Sequence, residues 1–448
     1  MPASPLGSSS LVFVHLSDLH FREPGSALAV REAGLRERLL TDIPKSVGLT
    51  SAKQVEAVLL TGDIARSGQQ AEYRVARAWL DELCNLLGIS GTKTLTCPGN
   101  HDVDWNRIDE ARRAKNTDLR TCAPHLLDAT IDALLEDAVE SVLAPLENYN
   151  EFASGTACSV ERFLAWDLPP LAIASGYRLS IRGATSVVNS DNNDAAGTMA
   201  VQTNQLRVAS VPGLVRMLLI HHSPYFWVRP VPGPAQYGHH IVLYGHTHEP
   251  HHQVINGTCL EITAGAVHPE EMEGFAIPSY NVIEVSIEEP TDVPHDQAVA
   301  RVRVFHREFS VVDDRFKDSG GAPDIDERVR ILRAVSELLP DTQTSQPERS
   351  PAAQELSEEW DLLGMNGESE IQPPLETVTG EPDPSRLVRL AFERLGAGDR
   401  LRVLDRLGVP RSMFAGLPPH QQIREVAKHV VALGSVDEFL AIVLEVGG

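Results

Sequence analysis

Cys97-Pro98-Gly99-Asn100-His101-Asp102 directly follows the short apolar run Thr94-Leu95-Thr96-Cys97, and this junction decides how the chain is read. A buried strand running into a glycine turn that carries an amide, an imidazole and a carboxylate puts reactive side chains at a strand's carboxyl end. Open α/β sheets collect their ligands at that edge. Four other stretches share the layout: residues 11–16 run into Ser17-Asp18-Leu19-His20, and 55–60 into Thr61-Gly62-Asp63. Residues 215–220 run into His221-His222-Ser223-Pro224, and 241–244 into Gly245-His246-Thr247-His248.

Between these strands the apolar spacing changes to that of amphipathic helices, at 27–40 and at 70–87, the second carrying Tyr73, Ala76, Trp79, Leu80 and Leu83 and stopped by Gly88. Strand and helix in alternation predict an α/β architecture. A long, mostly helical insertion, about 104–163 and interrupted by Pro124 and Pro145, follows the first loop, either as a cap over the site or as a peripheral hairpin. Further strands are expected at 177–184 and 187–189, and β-rich pieces at 253–263, 280–286 and 300–309 are expected to complete a second sheet. Residues 1–10 read as a flexible amino terminus and 11–340 as one domain. The stretch 341–383, acidic and rich in Ser, Pro and Glu, reads as a linker. Residues 384–448 hold four short helical signals, the last opened by Ser435 and Glu438 in capping-box spacing, and read as a small all-α domain.

At 448 residues and 42% hydrophobic content the chain can bury a substantial core. Lys plus Arg number 39 against 62 Asp plus Glu, a formal charge of −23, which argues against broad binding to phosphate backbones. A local basic cleft stays open, with Arg107, Arg112, Arg113, Lys115 and Arg120 as its candidates. Five widely spaced cysteines without a CxxC pair indicate neither a disulfide framework nor a thiolate zinc site, and point to a reducing compartment. No signal-like start and no apolar run of membrane-spanning length is found, so a cytoplasmic protein without membrane association is expected.

Asp18, His20, Asp63, Asn100, His221 or His222, His246 and His248 form a mixed oxygen and nitrogen donor set. Carboxylate and imidazole without thiolate suit divalent Mn, Fe, Zn or similar ions, and seven ligands suffice for two ions if one carboxylate bridges. Asp63, alone after a glycine that lets the backbone come close, is the natural bridge. Two such ions clamp a phosphate, acidify a water between them and stabilise both oxygens of an in-line displacement, so no protein nucleophile is needed. Each short motif has an ordinary explanation when taken alone. Their ordered recurrence at five strand ends carries the reading. His101 is the candidate general acid or phosphate contact, and Asp102 is expected to orient its imidazole or to cap the following segment. His15, inside a strand, reads as a core histidine, whereas His239, His240, His251, His252 and His268 flank the site and are more ordinary as surface or packing residues. Asn189 and Asp191 follow another strand and are weaker candidates to face the site.

The blocks D-x-H, G-D, G-N-H-D, H and G-H-x-H, all intact between residues 11 and 309, resemble those of calcineurin-like metallophosphoesterases. Their spacing is most similar to the class III cyclic nucleotide phosphodiesterase branch. The resemblance implies a four-layer α/β/β/α sandwich with a two-metal centre, here with the helical insertion and the all-α carboxyl-terminal domain added. It implies that Asp18, His20, Asp63 and His248 hold one ion and that Asp63, Asn100, His221 and His246 hold the other, with His101 no ligand. Alignment to an H-H-x-P pattern favours His221 and alignment to H-x-P favours His222; His221 is the expected ligand. The implied activity is hydrolysis of phosphodiesters or phosphomonoesters, with nucleotides or other small phosphoesters as substrates. A nuclease of the Mre11 or SbcD type is the alternative, followed by a protein phosphatase and by an inert scaffold, in which degenerate ligands would be expected. Residues 384–448 resemble the adaptor or death-like domains of signalling and defence effectors, which implies a protein partner.

Overall fold

The computed structural model describes residues 10–25, 27–228, 234–268, 277–290, 293–317 and 321–334. The proposed linker and carboxyl-terminal helical domain lie outside these residues. In chain order the first half contains β1 (Leu11–Leu16), α1 (Ala27–Val47), β2 (Ala57–Thr61), α2 (Gln70–Leu87), β3 (Thr94–Cys97), α3 (Glu110–Thr121), α4 (Leu127–Leu143), α5 (Glu147–Ala153), β4 (Ala165–Asp167) and β5 (Leu171–Ala174). The second half contains β6 (Tyr177–Ala184), α6 (Thr203–Leu206), β7 (Leu214–Leu219), β8 (Ile241–Tyr244), β9 (His251–Ile255), β10 (Cys259–Thr263), β11 (Ser279–Glu288), β12 (Gln297–Ser310), β13 (Arg315–Lys317) and β14 (Ile325–Leu332).

The strands form two seven-stranded sheets, one ordered β13-β12-β11-β1-β2-β3 with β14 beside β12, the other β4-β6-β7-β8-β10-β9 with β5 beside β6. Within them β1, β2 and β3 run parallel, as do β6, β7, β8 and β10. Side chains of β2, β3 and β8 are buried throughout, and those of β1 and β7 in all but their first residue, as strands covered on both faces require. The sheets pack against each other, β2 on β7 and β3 on β6, around one continuous hydrophobic core. This is the mixed α/β, two-sheet arrangement that the motif resemblance implies. The five motif-bearing strands all belong to the parallel blocks, so their carboxyl ends emerge together.

Helix α2 follows its sequence signals from end to end. The Glu72 carboxylate reaches back to the Gln69 and Ser67 N–H groups, and Gly88 ends the helix in the left-handed region at φ 68°. Helix α1 continues past the expected stop at residue 40, through Pro44 to Val47. Leu39, Ile43 and Val47 fall on one buried face at four-residue spacing, and that burial outweighs the one hydrogen bond proline removes.

Two further sequence expectations are corrected, and one strand is unforeseen. The later β-rich pieces do not complete one second sheet: β9 and β10 join β8, whereas β11 and β12 join β1. Residues 187–189 form no strand, because their carbonyls are taken by side chains: Arg112 donates to Val188 O and Arg120 to Asn189 O at 2.8 Å. Finally, β14 has no counterpart in the sequence reading. Its exposed Asp326, Arg328 and Arg330 alternate with inward Ile325, Val329 and Ile331, but Glu327 at an inward position breaks the apolar half of that pattern; Asp326 pairs with Arg301 and Arg328 with Glu288.

The insertion packs sideways. Helix α5 lies on α2, the Tyr149 hydroxyl donates to Thr96 O at 3.0 Å, and Arg120 pairs with Asp191 and Asp194 at 2.9 Å each. Asn189 holds its own loop through Thr198 O and the Ala200 N–H. Asn189 and Asp191 therefore serve this loop. Among the described residues no helix is long and apolar enough to cross a membrane.

Candidate metal centre

Backbone pairing continues beyond β1 and β2 and zips two of the motif loops together. Asp18 N–H donates to Gly62 O at 3.1 Å, His20 N–H to Asp63 O at 2.9 Å and Phe21 N–H to Ile64 O at 2.8 Å. The loop after β3 is fastened to the same place. Its Asp102 carboxylate accepts from the N–H groups of Gly99 (2.9 Å), Ala65 (2.9 Å) and Ile64 (3.1 Å), and from the Tyr73 hydroxyl (2.9 Å). From the second sheet, His221 Nδ1–H donates to Thr61 O at 2.6 Å, and the Gly245 N–H donates to His221 O at 3.0 Å.

Two glycines permit this approach. A Cβ on Gly62 would lie 2.4 Å from His221 Nδ1, and one on Gly99 would lie 2.1 Å from Asp63 Oδ1. The remaining strain falls on the motif residues themselves. Asp18, His20, Asp63, His246 and His248 all have φ between 45° and 68°, five of the ten non-glycine residues in that region among the described residues. Such conformations are costly for L side chains, persist where surrounding contacts enforce them, and concentrate at functional sites.

The side chains meet around Asp63. Its Oδ2 lies 3.3 Å from His20 Nε2 and 3.4 Å from His221 Nε2, and its Oδ1 accepts from the His101 N–H at 2.8 Å. His221 Nε2 also lies 3.2 Å from Asn100 Oδ1, and His248 Nε2 lies 3.1 Å from Asp18 Oδ1. Four sets of donor atoms lie close enough to share an ion: Asp18, His20 and His248; His20, Asp63 and His101; Asp18, Asp63 and His221; His221, His222 and His246. All seven predicted ligands are thus gathered in one place. His221 faces Asp63 and Asn100, whereas His222 is held by Ser186 Oγ at 2.8 Å and stands beside His246, ring centroids 4.2 Å apart.

The donor chemistry fits divalent cations. His20 and His221 each donate Nδ1–H to a carbonyl, of His268 and Thr61 respectively, so lone pairs on Nε2 face the oxygens of Asp63. Two acceptors at that distance attract only with a proton or a metal cation between them. Asp18 and Asp63 are both essentially fully buried, and among the described residues neither forms an ion pair with lysine or arginine. Burial opposes charge on Asp63, yet the surrounding imidazoles hold it well below the usual carboxylate range. Burial likewise opposes charge on His221, yet Asp63 lifts it to about 9, while burial and the neighbouring His221 push His246 down to about 3.

His101 and Asp102 do not form the expected pair. The Asp102 carboxylate accepts its hydrogen bonds from the loop N–H groups and the Tyr73 hydroxyl, because the 3-10 turn at Asn100–Asp102 directs it back toward Gly99. A group that sequence reasoning missed, Arg66, takes that place. His101 Nδ1 lies 2.6 Å from Arg66 Nη1 and 2.9 Å from the Arg66 carbonyl oxygen. A guanidinium N–H can only donate, and the charge-assisted contact is the shorter and stronger, so we assign the lone pair to Nδ1 and the ring proton to Nε2. Burial, with the Arg66 charge, keeps this imidazole's pKa below that of a free histidine. The available signal was the position of Arg66, three residues after Asp63, which the zipped loops bring back beside the Gly99 turn.

Other histidines lie off the site. His15 is buried against Thr61 Oγ1 at 3.0 Å, with burial pushing it down to about 3. His239 binds Leu206 O at 2.7 Å, and His240 lies 3.0 Å from Arg216 Nη2. His268 is different, since its backbone spans the edge of the centre: its N–H donates to Asp18 O and its carbonyl accepts from His20.

The family of calcineurin-like phosphoesterases matches residues 11–250, more than half of the chain, and the chain belongs to that family. Members are hydrolases of phosphoric esters that use divalent metals. A search of curated proteins found no match. Among solved structures, a dimetal phosphatase of Danio rerio is 12% identical, covering 72% of this chain and 98% of its own at a TM-score of 0.31. The calcineurin-like phosphoesterase YfkN of Bacillus subtilis is 11% identical, covering 72% and 91% at 0.29. GAP50, an anchor in the inner membrane complex of Plasmodium, is 10% identical, covering 72% and 90% at 0.37.

Proposed function

We propose that this chain is a metal-dependent phosphodiesterase whose substrates are nucleotides or other small phosphoesters, with the cyclic nucleotide branch as the most similar in motif spacing. The observation that carries the reading is Asp63, a fully buried carboxylate whose Oδ2 lies 3.3 and 3.4 Å from His20 and His221, imidazoles of the two opposing sheets. Asp18, His20, Asp63 and His248 would hold one ion, and Asp63, Asn100, His221 and His246 the other. Two divalent ions bound there would supply positive charge to the phosphate and an acidified water. The chain's own residues hold the ligands rigidly, exclude bulk water by burial, and present His101 Nε2–H as a neutral hydrogen-bond donor to a phosphate oxygen.

The nuclease alternative shares nearly the same motif set and would be favoured by a basic groove on the insertion, but three of the five basic residues named for that groove are engaged within the fold. Arg107 pairs with Glu147 and Asp104, Arg112 is buried on Val188 O, and Arg120 is paired with Asp191 and Asp194. The net charge of −23 adds to this. Residues 384–448 are proposed, on sequence grounds alone, as a protein-interaction module. Purified full-length protein with Mn²⁺ should hydrolyse bis-(p-nitrophenyl) phosphate, and Asp63→Ala or Asn100→Ala should abolish turnover. A wild-type chain that binds Mn²⁺ and cleaves no phosphoester sinks the reading.

A further inference from the structure

Three exposed aromatic side chains occur among the described residues: Trp105, Phe163 and Tyr225. Two of them border the candidate centre. The Trp105 indole is 39% exposed and lies 6.3 Å, centroid to centroid, from the His101 imidazole, inclined by 26°. On the opposite side the Phe226 ring stands edge-on to His246 at 4.4 Å, with Tyr225, 42% exposed, 5.2 Å behind it.

The fold does not need the indole where it is. Trp105 begins a short 3-10 turn fixed by others: Asp104 accepts from the Asn106 N–H at 3.1 Å, and the Asp104 N–H donates to Pro145 O at 2.8 Å. No hydrogen bond is made by the Trp105 indole N–H among the described residues, and the neighbouring Arg107 turns to Asp104 and Glu147. A large apolar ring left open to water beside the group that faces the phosphate is suited to a flat apolar ring on the substrate. Stacking on such a platform tolerates any base, because every base has a π-face.

We propose that Trp105 is the stacking platform for a nucleobase, which makes nucleoside phosphoesters, rather than alkyl ones, the preferred substrates of this centre. The inference rests on the phosphodiesterase reading above and names its substrate class. It places the phosphate at Asp63 and Asn100, with the base turned outward past His101 onto the indole.

The test compares two diesters with the same chromogenic leaving group, thymidine 5′-(p-nitrophenyl phosphate) and methyl p-nitrophenyl phosphate, on the full chain with Mn²⁺. Trp105→Ala should lower kcat/KM about tenfold on the thymidine ester, mainly through KM, the lower part of the range for base–aromatic stacking. On the methyl ester the change should stay within about twofold. Trp105→Phe should recover most of the loss. Thymidine 5′-monophosphate should inhibit the Ala variant about tenfold more weakly, with inhibition by inorganic phosphate unchanged. Parallel loss on both esters would mean that the indole acts only by holding His101, and no loss on either would mean that it meets no substrate; each overturns the proposal. Hydrolysis of neither ester by the wild type would instead overturn the phosphodiesterase reading itself.

Discussion

His101 enters the site with Nδ1 already engaged by the Arg66 guanidinium, which leaves Nε2–H as the atom it can offer a phosphate. An imidazole that accepts at Nδ1 from Arg66 carries its one ring proton on Nε2, a good hydrogen-bond donor and a poor source of a whole proton. The expected result for His101→Gln is therefore a loss of about 10²-fold in kcat that is similar for alkyl and p-nitrophenyl leaving groups, since removing one such donor costs about that much. A loss confined to alkyl leaving groups, which need a proton to depart, would restore the general-acid role. At this scale the sequence was informative about identity and silent about orientation. Asp102 stands next to His101, yet its carboxylate turns to three backbone N–H groups, and Arg66 becomes the neighbour only because two loops are zipped.

Loops at strand ends do the positioning, and their glycines act in two different ways. At Gly99 φ is −103°, so no backbone strain arises there; the constraint is contact, because an added Cβ would lie 2.1 Å from Asp63 Oδ1. At Gly88 the constraint is conformational, with φ at 68° and nothing within 4 Å of an added Cβ. Gly99→Ala should therefore weaken Mn²⁺ binding and abolish turnover while leaving far-UV circular dichroism unchanged. Gly88→Ala should cost about 1 kcal/mol in urea unfolding and leave metal affinity alone. Unchanged Mn²⁺ affinity in Gly99→Ala would show that the two loops need not touch. Strands with uniform burial and helix α2 with both its end signals could be read directly. The edge strand β14 could not, because Glu327 interrupts its short apolar alternation.

At the scale of the molecule the candidate centre lies between two sheets, with its proposed ligands on the loops that end β1, β2 and β3 of one and β7 and β8 of the other. Cations that bind only this folded arrangement must stabilise it, by about 2.7 kcal/mol at one hundred times the dissociation constant. Stripping divalent ions with a chelator should lower the thermal midpoint by roughly 5 °C or more, and Mn²⁺, near two ions per chain, should restore it. An unchanged midpoint would mean that the buried carboxylates are satisfied without metal. The sequence by itself determined the α/β class and named the candidate ligands, because continuous apolar strand runs and the order of the motifs that end them are local properties. The tertiary structure alone decided how β9 to β12 divide between the sheets, that Asp63 faces imidazoles from both, that Arg66 rather than Asp102 meets His101, and that Trp105 stands open beside it. The first three depend on contacts between residues far apart in the chain, which form only as the loops and sheets pack; the last depends on what the fold leaves uncovered, since Trp105 follows His101 by only four residues.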